Sequence, residues 1–264
     1  MKCAYVNDIA LYYTCTGSPE NDALVFINSL GCDLRIWDDV IPHLSDRFYV
    51  IRYDVRGHGL SDSPPGPYTI RYCSTDLALL LDHLEVARVS VIGISVGGMI
   101  ALDFAASHPE RINRMVFSDT APIIGTADLW NARIDTLREH GMAHLARAIL
   151  DRWFAPEYFT DHPADAAGYL NMLTRMPVVG YTATCEAIRD ADLTPQVGKV
   201  SAPSLVLCGD KDPSTPPDLV RNFAAQLPNA RFQLIPDAGH LPCVEQPDSF
   251  AAALNAFLRE PTHG

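Results

Sequence analysis

The sequence of 264 residues predicts an α/β fold, in which a mostly parallel central sheet is flanked by helices and carries a helical lid. Three observations predict it. Short runs rich in Val, Ile and Leu alternate with amphipathic segments along most of the chain. One run ends in a serine between glycines, where a helical pattern begins at once. Between about residues 121 and 195 the alternation stops and only helical patterns occur.

The predicted strands are short, apolar and bounded by turn-forming residues. A short turn around Thr16–Asn21 joins the first two, so we expect an antiparallel start to an otherwise mostly parallel sheet. The strands are Ile9–Thr16, Ala23–Asn28, Phe48–Asp54, Arg88–Ser95, Arg114–Asp119, Ser204–Gly209 and Arg231–Pro236.

Amphipathic segments predict helices of two kinds, those that cover the sheet and those of the insertion. The insertion is expected to be a lid over the carboxyl ends of the strands, where such folds bind ligands. The organisation is therefore a core formed by residues 1–120 and 196–264, with a lid at 121–195. The predicted helices are Ser74–Leu84, Met99–Ser107, Asp218–Leu227 and Ser249–Leu258 in the core, and Ala127–His140, Ala143–Arg152, Pro163–Met176 and Thr182–Ala191 in the lid.

Ser95 lies at the centre of the most informative stretch, Val89–Met99. A β-branched run leads into G-x-S-x-G and then into a helical pattern. A serine at such a sharp turn projects its oxygen from the sheet edge, and the flanking glycines let neighbouring backbone pack close. The helix directs its free N–H groups toward the place where an oxyanion would form. We therefore predict that Ser95 is a catalytic nucleophile.

A nucleophilic serine needs a base, and the base needs an orienting acid. In this topology both are expected after later strands, in the order Ser, Asp or Glu, His. His240 follows the last predicted strand and is the predicted base. Asp212 follows the strand before it and is the predicted acid, while Asp119 also ends a strand and stays open as an alternative acid.

The oxyanion hole is expected to combine two backbone N–H groups. One belongs to Val96, directly after the predicted nucleophile. The other comes from the loop after the strand Ala23–Asn28, where Leu30 is the candidate. An ordinary strand–helix connection would explain the same loop.

Three lid residues are candidates for substrate binding. Trp130 and Trp153 either line a pocket or hold the lid to the core. Arg133 lies one helical turn from Trp130, so their side chains can share a face. A lid arginine can pair with a small carboxylate through two hydrogen bonds, although a solvated helix arginine is the simpler explanation.

Bulk properties exclude several classes of partner. The formal net charge of −12 argues against nucleic acid and anionic membranes. It also means that an acidic substrate needs a local cation. No run approaches 18 apolar residues, and the first residues lack the pattern of a signal peptide. We expect a small molecule as the partner; a homo-oligomer stays open.

The cysteines and histidines indicate neither disulfides nor a metal site. Seven scattered cysteines without C-x-x-C suit reduced thiols, so we expect a cytoplasmic protein. The histidines apart from His240 and His58 lack metal-ligand spacing. His58 belongs to a charged turn after a strand, Arg52–Gly59, for which a structural hydrogen-bond network is the favoured interpretation.

Several further stretches accompany this constellation, and with them the chain is similar to α/β-hydrolases over its full length. More narrowly, it resembles the 3-oxoadipate enol-lactonases of the β-ketoadipate pathway of aromatic catabolism. Two departures from the family pattern affect the pocket. Ile94 and Val96 replace the expected Leu and Met, and Leu241–Cys243 follows His240 in place of a more typical stretch that contains Ser or Asn. The matching stretches are Asn28–Gly31 with Trp37, Arg52–Gly59, Gly66–Ile70, Gly93–Gly98, Gly141-Met142, Arg152–Phe154 and Cys185–Leu193.

The resemblance implies a serine hydrolase that opens an anionic enol-lactone through an acyl-enzyme and needs no metal or organic cofactor. Other enzymes would use the same three residues: a carboxylesterase, a carbon–carbon bond hydrolase or a perhydrolase. A ligand-binding protein of this fold and a cofactor-free oxygenase are alternatives from other classes.

Overall fold

One eight-stranded sheet runs through residues 1–260, the part of the chain that the computed structural model describes. Its strands are β1 (Lys2–Val6), β2 (Ile9–Thr16), β3 (Ala23–Ile27), β4 (Tyr49–Tyr53), β5 (Val89–Ile94), β6 (Ile112–Ser118), β7 (Ser204–Gly209) and β8 (Ala230–Ile235). The spatial order is β1-β2-β4-β3-β5-β6-β7-β8. The β1–β2 and β2–β4 pairs are antiparallel and all others are parallel. The predicted α/β fold is confirmed.

The sheet does begin with antiparallel strands, but the expected pairing of the first two predicted strands is wrong. β4 lies between β2 and β3, so that Thr16 pairs with Val50 rather than with a residue of β3. The true antiparallel neighbour before β2 is β1, which the sequence did not reveal. β1 is a five-residue edge strand, mostly exposed, and it lacks the run of Val, Ile and Leu that marks the predicted strands.

Residues 1–260 contain eleven α-helices, which cover the sheet or lie between β6 and β7. Three short ones, α5, α8 and α10, were not predicted, because four to six residues that begin with or include a proline give no helical period. The helices are α1 (Ile70–His83), α2 (Val96–Ser107), α3 (Ala127–His140), α4 (Met142–Trp153), α5 (Pro156–Asp161), α6 (Pro163–Thr174), α7 (Val178–Arg189), α8 (Thr194–Val197), α9 (Pro217–Gln226), α10 (Pro242–Glu245) and α11 (Pro247–Leu258).

The central strands form the core that fixes the site. Every residue of β3, β5 and β7 is buried, as expected for parallel strands covered on both faces. An aromatic chain ties the sheet to its covering helix: Phe26 of β3 lies 5.0 Å from Trp37, which lies 5.9 Å from Phe250 of α11. This packing holds the carboxyl ends of the strands rigidly in place.

Helices α3–α8 fill the interval between β6 and β7 and approach the loop that follows β3. Gly31 in that loop has φ of +83°, and a Cβ there would come within 3.1 Å of Leu173, Trp153 and Tyr181. A glycine is therefore required for this close contact. In the described part of the chain, no helix has both the length and the apolar character needed to cross a bilayer.

Candidate active site

Ser95 occupies a strained turn between β5 and α2. Its backbone has φ of 57° and ψ of −121°, a conformation that residues with a side chain rarely adopt. The Ser95 N–H donates to the carbonyl of Ser118 at 2.9 Å, and Thr120 Oγ1 donates to the Ser95 carbonyl at 2.7 Å. These bonds to the end of β6 hold the turn.

The flanking glycines of this turn are sterically required. A Cβ on Gly93 would lie 2.3 Å from the Gly97 carbonyl oxygen, and a Cβ on Gly97 would lie 2.3 Å from the Ile27 carbonyl oxygen. Both distances are far below van der Waals contact. The turn is thus as tight as the sequence pattern predicts.

His240 and Asp212 form a buried hydrogen-bonded pair. His240 Nδ1 lies 2.8 Å from Asp212 Oδ2, and both side chains are at most 5% exposed. Their loops follow β8 and β7 and touch closely, since a Cβ on Gly209 would lie 2.0 Å from the Gly239 carbonyl oxygen. This contact brings the predicted base and acid together.

The Asp212 carboxylate is stabilised by several donors. Thr215 Oγ1 donates to Oδ2 at 2.5 Å, and the Ser214 N–H donates to Oδ1 at 2.7 Å. Burial by itself raises the pKa of Asp212, but the charge of His240 and these hydrogen bonds outweigh it and leave the pKa below its ordinary value. The carboxylate therefore stays ionised beside the imidazole.

Asp119, the alternative acid, faces the same region without pairing with His240 in the hydrogen-bond network of residues 1–260. Its Oδ1 accepts from the Gly209 N–H at 2.8 Å, and Oδ2 accepts from Ser118 Oγ at 2.5 Å. Burial raises the pKa of Asp119 well above its ordinary value, and the charge of Asp212 raises it further. Asp119 thus lies behind the pair as a carboxyl that is harder to ionise than Asp212.

Asp119, Asp212 and Cys208 form one cluster with the spacing of a metal site, their ligand atoms lying within 4.8 Å of one another. The carboxylate oxygens already accept hydrogen bonds from Gly209, Ser118, Thr215 and Ser214. Burial also raises the pKa of the Cys208 thiol, which disfavours the thiolate that a metal needs. The donor set does not fit a metal ion.

The two predicted oxyanion donors lie beside Ser95 at different strand ends. Val96 is the first residue of α2, and Leu30 follows β3 in the lining of the same cavity as Ser95. Within residues 1–260, neither backbone N–H donates to a protein acceptor. Both donors are therefore available to a ligand atom at Ser95.

A cavity joins Ser95, His240 and the helices between β6 and β7. The enclosed space, its open mouth included, is about 600 Å³. Trp130, Arg133 and Trp153, the lid residues singled out in the sequence, all line it. The structure thus places six of the predicted site residues around this one cavity: Leu30, Ser95, Trp130, Arg133, Trp153 and His240.

Besides Arg152 of α4, a second cation lines this cavity, Arg133 of α3. Its guanidinium carbon lies 5.0 Å from the centre of the Trp130 ring, a cation–π contact. Among the described residues, no carboxylate lies within 4.0 Å of the Arg133 guanidinium nitrogens. Its charge is free to meet an anionic ligand.

Nine of the fifteen residues that line the cavity were not predicted as site residues, and Tyr181 and Arg152 are two of them. The Tyr181 hydroxyl is buried without a hydrogen-bond partner within residues 1–260, and Arg152 donates to the Pro213 carbonyl at 3.0 Å. Burial raises the pKa of Tyr181 above its ordinary value, and the nearby charge of Arg133 partly opposes the rise. An aromatic residue in a helix resembles any core residue, so no sequence signal could have identified Tyr181.

Comparisons with known proteins concern the chain as a whole. A family model of the alpha/beta hydrolase fold matches residues 22–247. The chain is 36% identical to 3-oxoadipate enol-lactonase 2 of Acinetobacter baylyi, over 96% of this chain and 94% of that protein.

Solved structures show the same similarity. The crystal structure of the enol-lactonase from Burkholderia xenovorans superposes with a TM-score of 0.96 at 37% identity, over 98% of this chain and 100% of that one. A thermophilic esterase from Thermogutta terrifontis, solved with malate bound, gives a TM-score of 0.91 at 28% identity, over 98% and 97% of the two chains.

Proposed function

This chain belongs to the alpha/beta hydrolase family, and we propose that it is a serine hydrolase that opens 3-oxoadipate enol-lactone to 3-oxoadipate. One observation carries the proposal: Ser95, the His240–Asp212 pair and the unpaired Arg133 meet at one cavity. The similarity to two enol-lactonases supports the lactone as substrate.

Ser95 acts as the nucleophile in this mechanism. His240 accepts the Ser95 hydroxyl proton while a bond forms between Ser95 Oγ and the lactone carbonyl carbon. Asp212 fixes the imidazole through Nδ1, which leaves the other ring nitrogen to act as base. The N–H groups of Leu30 and Val96 stabilise the negative oxygen of the tetrahedral intermediate.

Ring opening then breaks the bond between the carbonyl carbon and the ring oxygen. The leaving group is an enolate, whose charge is delocalised, and His240 returns the proton to it. A water molecule deprotonated by His240 releases the acyl group from Ser95. Tautomerisation of the enol to a ketone makes the opening hard to reverse.

Helices α3–α8 serve as a lid that recognises the substrate. Arg133 pairs with the carboxylate of the lactone, and the rings of Trp130 and Trp153 enclose its apolar part. The local cation offsets the repulsion that a net charge of −12 exerts on an anion. Residues 121–195 thus supply specificity, and the core supplies the chemistry.

The test is steady-state hydrolysis of 3-oxoadipate enol-lactone beside neutral p-nitrophenyl esters. We expect kcat/KM for the lactone to exceed that for the esters by orders of magnitude. Equal or better turnover of the esters would identify a general carboxylesterase, a function that the similarity to the Thermogutta terrifontis esterase favours as second candidate. Labelling of Ser95 without turnover would indicate a ligand-binding protein instead.

A further inference from the structure

The segment Arg152–Ala155, at the end of α4, touches both loops that carry the His240–Asp212 pair. The Trp153 carbonyl accepts from the backbone N–H of His240 at 2.8 Å and of Leu241 at 3.2 Å. The lid backbone is thus the hydrogen-bond partner of the histidine's own peptide group. At the same time Trp153 lines the cavity.

Glu245, the last residue of α10, links the two sides of this contact. Its Oε1 accepts from the Ala155 N–H at 2.7 Å, and its Oε2 accepts from the Gly239 N–H at 2.6 Å. Ala155 belongs to the lid and Gly239 directly precedes His240. One carboxylate therefore bridges the lid and the histidine loop through two short, charge-assisted bonds.

The packing at this bridge leaves no room for adjustment. A Cβ on Gly239 would lie 2.8 Å from the Trp153 carbonyl oxygen and 3.1 Å from Glu245 Oε2. The histidine loop can approach the lid this closely only because residue 239 is a glycine. Glu245 is not among the residues lining the cavity, so it does not touch the substrate.

We propose that Glu245 is a positioning residue, whose carboxylate fixes the backbone of His240 against the lid and so couples the lid to the catalytic base. This role rests on the proposed function of Ser95 and His240. A displacement of the base by about 1 Å can cost on the order of 100-fold in rate, so the bridge has a direct effect on turnover.

The bridge also depends on pH. Burial raises the pKa of Glu245 to about 7, while the N–H groups of Ala155 and Gly239 and the charge of Lys211 lower it and Asp212 raises it. Tyr158 of α5 and Cys243 of α10 also face it, and both stay neutral near pH 7 because burial raises their pKa values. Below pH about 7 the protonated carboxyl loses acceptor strength, so the bridge weakens there.

Glu245→Gln tests this role because it keeps the shape, removes the charge and leaves only one side-chain oxygen to accept from Ala155 or Gly239. With a neutral p-nitrophenyl ester we expect kcat to fall about 10- to 100-fold near pH 8, with KM changed less than kcat. The ratio of wild-type to variant kcat should then shrink toward one near pH 5.5, where the wild-type carboxyl is itself neutral. Glu157→Gln is the matched control, since Glu157 is an exposed lid carboxylate 3.5 Å from Lys211.

The variant is expected to fold. The amide nitrogen of Gln cannot accept, so one backbone N–H loses its partner, whereas removing the charge helps because a carboxyl whose pKa is raised by folding costs stability as it ionises. The two effects oppose each other, and we expect Tm at pH 8 to change by less than about 5 °C. The rate at which a fluorophosphonate labels Ser95 should fall with kcat. If the ratio of wild-type to Glu245→Gln kcat does not change with pH, or if Glu245→Gln is as active as Glu157→Gln, the proposed role of Glu245 is wrong, while the proposed function still stands. A wild-type protein without Ser95-dependent ester turnover would overturn the proposed function and this role with it.

Discussion

Ser95 has a strained backbone conformation and lines the cavity. Ser95→Ala should lower kcat on the order of 10⁶-fold, because the nucleophile, base and acid act as one unit. Steady-state hydrolysis of the lactone measures the loss. A fluorophosphonate should label the wild-type protein at Ser95, and labelling at a different serine would contradict the mechanism.

Asp212 and Asp119 provide a paired test at the same scale. Asp212→Asn should drop kcat by roughly 10⁴-fold, because the amide favours the wrong imidazole tautomer. Asp119→Asn should change kcat by less than about 10-fold, since the amide oxygen can still accept from Gly209 and the imidazole of His240 pairs with Asp212. If Asp119→Asn does the greater damage, the orienting acid lies on β6 instead.

Individual residues differed in how far the sequence could predict them. Ser95 and His240 stand in local patterns at strand ends, so their positions follow from short-range order. The choice between Asp212 and Asp119 depends on which of two adjacent strand ends faces His240, and that is decided by loop geometry. Glu245 carries no sequence signal, because its partners are backbone N–H groups, one of them 90 residues away.

Among the elements, α3 carries Arg133, the residue that we propose distinguishes substrates. Arg133→Ala should lower kcat/KM for the anionic lactone by about 10–150-fold, since a sheltered charge-assisted pair contributes roughly 1.5–3 kcal/mol. Turnover of a neutral ester should change little. Steady-state kinetics with both substrates makes the comparison.

The matched control on the same helix is Arg138→Ala. Arg138 is 59% exposed and pairs with Glu186, so its loss should change neither rate by more than about threefold. Equal losses for both substrates in Arg133→Ala would mean that Arg133 only supports the lid. If Arg133→Ala lowers kcat/KM for neither substrate, Arg133 does not pair with the carboxylate of the lactone.

Most elements were predicted well, but one strand and three short helices were not. The predicted helix Ala127–His140 agrees with α3 at both ends, because Thr126 caps its start and Gly141 follows its end. The start of α1 lies four residues before the predicted Ser74, since Thr69 accepts from the Tyr72 N–H and caps the helix there. Strand β1 lacks a run of Val, Ile and Leu, and the helices α5, α8 and α10 are too short for a period to emerge from the sequence.

At the scale of the whole molecule, the net charge of −12 should repel an anionic lactone before it reaches the cavity. Raising the ionic strength from about 0.01 M to about 0.15 M shortens the screening length from about 30 Å to about 8 Å. We expect kcat/KM for the lactone to rise by about two- to fivefold over this range. The neutral ester serves as control, and a fall for the lactone would show that Arg133 dominates the field at the mouth.

The order of the strands along the chain also affects how activity arises during synthesis. Ser95 ends β5, but Asp212 and His240 follow β7 and β8, after the lid has been made. At about 5–20 residues per second, the ribosome needs roughly 7–30 s to advance from residue 95 to residue 240. A chain that ends before residue 240 therefore displays the serine without its proposed base, and on the proposed mechanism it cannot cleave esters.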